Sequence, residues 1–314
     1  MSTASPMVVP SLQPPHVSKT TIPVAGLLVD VYGLDQLPTA ATAVSCLWLH
    51  HGRLGNKNDM ATFAALALSA WHARTNDNNS TGSSSPSRGL IAVAFDERNH
   101  GTRLAHKASN DAWRDGNKTH AQDMFGVVTG GYLFGNGASS PGSLQAATLG
   151  PRRQAGLIDQ HLALGVSQGG HTVWQAMFAE PRLSAGVVVI GCPDYMAIMT
   201  DRILFGTREI SASPSDVEKE RLGSILDARL AKKKFQVLSG GVDKLVPYAL
   251  AKPFLDFFKS AVETWGKQAN ISVEDIVYPG VGHKFDDAMM KDAVHFIVDT
   301  VSGADATQAS TAKI

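Results

Sequence analysis

The chain has 314 residues with 28 basic and 28 acidic side chains, so its formal net charge at neutral pH is zero. Because no global field would draw in nucleic acid or an anionic membrane, nucleic acid is not an expected partner. Apolar residues make up 44% of the chain and charged residues 18%, which predicts a globular protein with a substantial core.

The N-terminal part of the chain predicts a flexible segment followed by strands. Residues 1–18 contain four prolines and no continuous apolar run, so we expect neither a secretory signal nor a membrane anchor there. Aliphatic and β-branched residues in Thr20–Val24 and Leu27–Tyr32 predict an antiparallel pair. Val44–Leu49 is nearly all apolar, as a central parallel strand requires.

This central strand leads into a histidine-glycine loop that begins His50-His51-Gly52. Gly52 has no side chain, so the backbone of the loop can approach a ligand closely. The loop therefore predicts a backbone donor, the N–H of Arg53 or of Leu54, and His51 is a candidate to line a pocket.

The next region predicts a helix, a loop and another buried strand. Lys57–Arg74 has apolar residues at helical spacing, and the polar stretch Asn76–Ser87 predicts a loop. Leu90–Phe95 predicts a buried strand that ends in a turn pinned by Asp96 and Arg98. The chain's two cysteines are too few for a disulfide scaffold or a zinc site, so no metal is expected.

Ser167 lies at the junction of a predicted strand and a predicted helix, within Gly165-Val166-Ser167-Gln168-Gly169. A strand that reverses directly into a helix forces the junction residue into a strained conformation, which its neighbours permit only if they are small. This pattern predicts a nucleophile elbow, and the N–H of Gln168 would be an oxyanion donor at the start of the helix.

Two later loops carry an aspartate and a histidine, each just after a predicted strand. Asp243 follows Phe235–Ser239, and His283 follows a last strand at residues 273–278. Because the carboxyl ends of parallel strands share one edge of a sheet, we expect Ser167, Asp243 and His283 to meet there. A serine becomes a good nucleophile when a histidine, itself held by a carboxylate, removes its proton.

With these motifs, the chain resembles the α/β-hydrolase family over residues 20–302. The resemblance rests on H-G after the third strand, G-V-S-Q-G-G at the elbow, G-x-D-x-x-V-P around Asp243 and G-x-G-H at His283. It implies an eight-stranded, mostly parallel sheet flanked by helices, with a small helical lid after the sixth strand. It also implies Ser167 as nucleophile, Asp243 as acid and His283 as base, without a cofactor.

The predicted organisation is a core of residues 19–192 and 231–303, a lid of residues 193–230 and a tail of residues 304–314. Charged, helix-forming sequence in the lid carries candidate substrate contacts at Tyr195, Met196 and Met199, although ordinary packing explains them equally well. A cytoplasmic location is expected, or a peroxisomal one if the terminal Ala312-Lys313-Ile314 acts as an address.

The expected reaction is hydrolysis of a small-molecule carboxylic ester, thioester or lactone through an acyl-enzyme. The oligomeric state cannot be predicted. Two other functions share the motifs. One is a serine peptidase of the prolyl-oligopeptidase type, which this chain's length disfavours because no propeller domain fits. The other is a non-catalytic ligand receptor on the same fold.

Overall fold

The computed structural model describes residues 15–24, 26–39, 41–80, 88–128, 157–195, 197–199, 230–265 and 269–311. These residues form a single eight-stranded sheet with helices against it. In chain order, the strands are β1 (Lys19–Val24), β2 (Leu27–Tyr32), β3 (Ala43–His50), β4 (Arg88–Phe95), β5 (Leu157–Val166), β6 (Leu183–Val189), β7 (Lys234–Gly240) and β8 (Ser272–Tyr278). The longer helices are α1 (Ala61–Ser80), α2 (Gln168–Ala179), α3 (Tyr248–Trp265) and α4 (Asp287–Thr311).

The strand order in the sheet is β1-β2-β4-β3-β5-β6-β7-β8. Strand β2 pairs antiparallel with both β1 and β4, and the remaining pairs are parallel. The expected eight-stranded, mostly parallel sheet is therefore confirmed. All six strands from β3 to β8 run the same way, so their carboxyl ends lie along one edge.

Both faces of the sheet are covered, which explains why the central strands are largely apolar. Every residue of β3 is buried. Leu47 and Leu49 belong to the core on the side of α1 and α4, whereas Cys46 and Trp48 belong to the core on the side of α2 and α3. Successive residues of a strand point to opposite faces, so a strand buried on both sides favours apolar residues at nearly every position.

Several predicted boundaries differ from the structure. Helix α1 continues through Ser80, into the stretch expected to be a loop, and α4 continues through Thr311 instead of ending near Val301 before a tail. Alanine-rich sequence favours helix, so α4 passes through Gly303 without a break. A helical segment covers residues 120–128 where 123–134 was expected, and residues 129–134 lie outside the described part.

Most of the predicted lid lies outside the described residues. Positions 195 and 197–199 are helical, and Met196 and residues 200–229 are not described. The terminal Ala312-Lys313-Ile314 also lies outside them. Among the helices that the structure describes, none has both the length and the apolar character needed to cross a bilayer.

Candidate active site

Ser167 occupies a strained turn between β5 and α2. Its backbone has φ 56° and ψ −111°, a positive φ that side-chain-bearing residues adopt rarely. The Ser167 N–H donates to the carbonyl of Val189 at 2.9 Å, which ties the turn to the neighbouring strand β6. The predicted elbow conformation is present, with the serine at the carboxyl edge of the sheet.

The glycines around Ser167 are required by close backbone contacts. A Cβ at Gly165 would collide with the carbonyl of Gly169, and a Cβ at Gly169 would collide with the carbonyl of His50. Both contacts would be too short for a real Cβ atom, so each position requires glycine. Gly165 lets β5 turn back against α2, and Gly169 lets α2 pack on the end of β3.

Ser167, His283 and Asp243 form a continuous chain of hydrogen bonds. Ser167 Oγ lies 2.8 Å from His283 Nε2, and His283 Nδ1 lies 2.8 Å from Asp243 Oδ2. A carboxylate can only accept, so Nδ1 carries the imidazole proton and Nε2 accepts from the serine hydroxyl. The three residues that the sequence placed on separate loops are therefore in direct contact.

The backbone of two loops fixes the aspartate against the histidine. Asp243 Oδ1 accepts from the N–H groups of Leu245 at 2.8 Å and Val246 at 3.0 Å, which leaves Oδ2 for His283. The Val242 N–H donates to the carbonyl of Val281 at 3.0 Å, which joins the aspartate loop to the histidine loop. The Asp243 side chain is fully buried, whereas that of His283 is 16% exposed.

The three candidate oxyanion donors lie on two elements that meet at this edge. Gln168 is the first residue of α2, where backbone N–H groups have no acceptor within the helix. Arg53 and Leu54 lie in the loop after β3, and the Arg53 guanidinium donates through Nη1 to the carbonyl of Asn110 at 2.6 Å. Burial lowers the pKa of Arg53, with the charge of Arg114 acting in the same direction.

His51 is held inside the loop and has no nitrogen left for a ligand. It is fully buried, its Nδ1 donates to the carbonyl of Gly52 at 2.8 Å, and its Nε2 accepts from the Glu97 N–H at 3.0 Å. Our expectation that His51 lines the pocket is therefore corrected. Its two hydrogen bonds fix the histidine-glycine loop to the end of β4.

Two of the other candidate pocket residues can be located. Tyr195 is partly buried, its hydroxyl donates to the carbonyl of Ala121, and its ring centroid lies 5.7 Å from that of the half-exposed Phe125. Met199 is buried in the core between the sheet and α2 and α3. The Tyr195–Phe125 pair is thus a partly exposed aromatic contact, while Met199 has the packing role that was the alternative.

Glu97 is a residue of this region whose role the sequence did not indicate. Its side chain is buried and its Oε1 accepts from His50 Nδ1 at 2.8 Å. Burial by itself would raise the pKa of Glu97, but the hydrogen bond and charge of His50 outweigh it and hold the pKa below its usual value. The pair fastens the end of β3, against which Gly169 of the elbow packs.

We expect Glu97→Ala to reduce the activity of this candidate site about tenfold and stability by about 1–3 kcal/mol, because His50 would lose its buried acceptor. Glu97→Gln keeps an oxygen acceptor for His50 and should retain most of the activity. Initial rates and urea unfolding of both variants check this. Equal losses in the two variants would show that the hydrogen bond to His50 does not support the site.

The turn after β4 is stabilised by more residues than the predicted Asp96 and Arg98. Asp96 does pin it, accepting from the N–H groups of Lys57 at 2.9 Å and Thr102 at 2.8 Å. Arg98 contributes its backbone carbonyl, which accepts from His100 Nδ1 at 2.9 Å. Asn99, at φ 60°, supports the turn as well, since its Oδ1 accepts from the N–H groups of Ala105 and His106. Within the described residues, no group of three or more His, Cys, Asp or Glu side chains could hold a metal ion.

Comparison with known proteins gives matches of structure only. The sequence matches none of the family models searched and no curated protein. Its structure is similar to that of TT1662 from Thermus thermophilus, with a TM-score of 0.56 and 16% identity over 91% of this chain and 99% of that one. It is also similar to dipeptidyl peptidase 4 of Porphyromonas gingivalis, with a TM-score of 0.50 and 14% identity over 92% of this chain and 36% of that one.

At these identities the likeness concerns the fold. The eight-stranded, mostly parallel sheet and its flanking helices agree with it. The chain therefore has the α/β-hydrolase fold.

Proposed function

We propose that this protein is a serine hydrolase that cleaves a small-molecule carboxylic ester, thioester or lactone through an acyl-enzyme on Ser167. The observation that carries the proposal is the hydrogen-bonded chain Ser167–His283–Asp243, with both distances at 2.8 Å. A hydroxyl within hydrogen-bond distance of an imidazole whose other nitrogen is held by a buried carboxylate is the arrangement that activates a serine.

In the first half-reaction, Ser167 Oγ attacks the carbonyl carbon while His283 Nε2 takes the hydroxyl proton. The carbonyl oxygen gains the negative charge, which the N–H of Gln168 and that of Arg53 or Leu54 would stabilise. By analogy with measured oxyanion donors, each contributes about 3 kcal/mol. The bond to the leaving alcohol or thiol then breaks, and His283 returns the proton to the leaving group.

In the second half-reaction, water takes the place of the leaving group. His283 removes a proton from the water as it attacks the acyl carbon, and the carboxylic acid departs as Ser167 recovers its proton. Asp243 keeps the proton of His283 on Nδ1 throughout and stabilises the imidazolium. No metal or organic cofactor takes part in the proposed steps.

The Tyr195–Phe125 pair is our candidate for a wall of the substrate pocket. Aromatic rings offer apolar area with little conformational freedom to lose, which suits contact with an acyl or alcohol group. Tyr195 follows the end of β6, at the same edge of the sheet as Ser167. Met196, outside the described residues, remains a further candidate from the sequence.

Covalent labelling tests the nucleophile. A fluorophosphonate probe should add once to the wild-type protein and should not add to Ser167→Ala, because the probe loses fluoride to the activated hydroxyl. Ser302→Ala is the matched control, since Ser302 lies in α4 and its hydroxyl donates to the carbonyl of Val298, so it should label fully. Equal labelling of wild type and Ser167→Ala would refute Ser167 as nucleophile.

The substrate panel then separates the remaining functions. p-Nitrophenyl acyl esters and acyl thioesters report esterase or thioesterase activity, whereas aminoacyl anilides report a peptidase of the prolyl-oligopeptidase type. The proposed esterase should turn over the esters and leave the anilides intact. A protein that binds ligands but is neither labelled nor active would be a receptor on this fold.

A further inference from the structure

The loop after β7 exposes two large aliphatic side chains, one on each side of Asp243. Val242 is 54% exposed and Leu245 is 37% exposed. Val246, the next residue, is buried in the core on the side of α2 and α3, so the loop buries one aliphatic side chain and leaves two in contact with solvent. Single exposed aliphatic residues are ordinary on a protein surface, so their position decides whether they have a function.

Backbone hydrogen bonds hold both exposed residues next to the proposed base. The Val242 N–H donates to the carbonyl of Val281, in the histidine loop, at 3.0 Å. The Leu245 N–H donates to Asp243 Oδ1 at 2.8 Å, and the other oxygen of this carboxylate accepts from His283 Nδ1 at 2.8 Å. The two aliphatic side chains are therefore carried on a fixed backbone beside His283.

The strand order puts the oxyanion donors and the base on opposite sides of the serine. From β3 onward the order is β3-β5-β6-β7-β8. Ser167 follows β5, the candidate donors Arg53 and Leu54 follow β3, and the aspartate and histidine loops follow β7 and β8. A carbonyl oxygen bound by the donors therefore lies on the β3 side of Ser167, whereas His283 reaches the serine from the β8 side.

This arrangement determines where the leaving group lies in the proposed reaction. In the tetrahedral intermediate the former carbonyl carbon carries Ser167 Oγ, the oxyanion, the acyl group and the leaving oxygen or sulfur. His283 Nε2 gives its proton to the leaving atom as the bond from that atom to carbon breaks, so the two atoms lie within hydrogen-bond distance. The remainder of the leaving group therefore extends along the side of the site that carries Val242 and Leu245.

We propose that Val242 and Leu245 are specificity-determining residues that bind an apolar leaving group, so the substrate is an ester or thioester of an aliphatic alcohol or thiol. The inference rests on the proposed serine-hydrolase function. An aliphatic chain packed on these two side chains removes apolar surface of both partners from water. Lys244, between them, is exposed, and its long stem lets the ammonium group stay in water beside an apolar ligand.

Variation of the alcohol at constant acyl group tests the proposal. The value of kcat/KM is measured for hexyl acetate and for ethyl acetate, and for the matching S-alkyl thioacetates. Hexanol and ethanol differ little in acidity, so the hexyl-to-ethyl ratio reports contact with the chain. Wild type should prefer the hexyl compound. The ratio should fall about tenfold in Leu245→Asn and about threefold in Val242→Thr, because each change keeps the side chain's size and makes it polar.

Variation of the acyl group at constant alcohol identifies the part of the substrate that is bound. The ratio of kcat/KM for ethyl hexanoate to that for ethyl acetate should be the same in wild type, Leu245→Asn and Val242→Thr. A fall in this acyl ratio without a fall in the hexyl-to-ethyl ratio would mean that the two residues contact the acyl group, and the proposal would be wrong.

Two control variants separate contact with the chain from disturbance of the protein. Leu28→Asn makes the same change at a leucine that is 48% exposed on β2, outside the parallel part of the sheet. Lys244→Gln changes an exposed residue of the same loop. Both should keep the wild-type ratios. A wild type without preference for the hexyl compound, or an equal fall in Lys244→Gln and Leu245→Asn, would overturn the proposal.

Fluorophosphonate labelling distinguishes failure of this inference from failure of the proposed function. A wild-type protein that is labelled at Ser167 and cleaves neither hexyl compound would exclude the apolar leaving group and leave the nucleophile in place. A protein that is neither labelled nor active would refute the serine hydrolase, and the leaving-group assignment would fall with it.

Discussion

Asp243→Asn is expected to lower turnover of an ester substrate by about 10⁴-fold while leaving the fold in place. Asp243 Oδ1 accepts two backbone N–H groups, from Leu245 and Val246. The carbonyl oxygen of an asparagine would keep these bonds, so its NH₂ group would face His283. Nδ1 would then have to accept, the proton would move to Nε2, and His283 could no longer take the proton of Ser167.

Steady-state hydrolysis of a p-nitrophenyl ester measures this loss, and thermal unfolding checks that the variant is folded. Asp299→Asn is the matched control, because Asp299 is an exposed side chain on α4 that meets Arg74 at 3.5 Å. It should keep full activity. If Asp243→Asn retained more than a tenth of wild-type turnover, the tautomer of His283 would not depend on Asp243 and the proposed relay would be wrong.

The sheet could be predicted because its strands carry a strong and local signal. Leu90–Phe95 is apolar at every position and Val44–Leu49 at every position but Ser45, and both are fully buried in β4 and β3. Helix ends are less well determined, since they depend on weak preferences of single residues. The stretch beyond Arg74 was read as a loop from its polar composition, yet α1 continues through Ser80 because nothing in that stretch stops a helix that has begun.

The convergence of Ser167, Asp243 and His283 followed from their positions after parallel strands. That reasoning predicts the edge of the sheet on which a residue lies, but it does not predict which residue its side chain contacts. Glu97 contacts His50 because β4 lies next to β3, and the sequence does not state the order of strands in the sheet. The same gap explains Asn99, whose hydrogen bonds to the N–H groups of Ala105 and His106 the sequence did not indicate.

Gly169→Ala is expected to reduce hydrolysis about a hundredfold or more, because displacement of reacting groups by about 1 Å costs that much. A methyl group there would collide with the carbonyl of His50 and lie 2.8 Å from the His50 Cβ. Both neighbours are anchored, since His50 is bonded to Glu97, so α2 has to move away and carry Ser167 with it. We expect stability to fall by about 1–3 kcal/mol, the usual cost of overpacking.

Gly303→Ala provides the matched control for the intrinsic effect of the substitution. Its Cβ would meet Lys234 Nζ at 3.9 Å, and it lies within α4, where alanine favours helix by about 0.5–1 kcal/mol over glycine. That variant should be slightly more stable and equally active. Since Gly169 is also helical, a gain in stability with full activity in Gly169→Ala would mean that helix preference outweighs the contact with His50, and that the elbow does not need the close approach of α2 to β3.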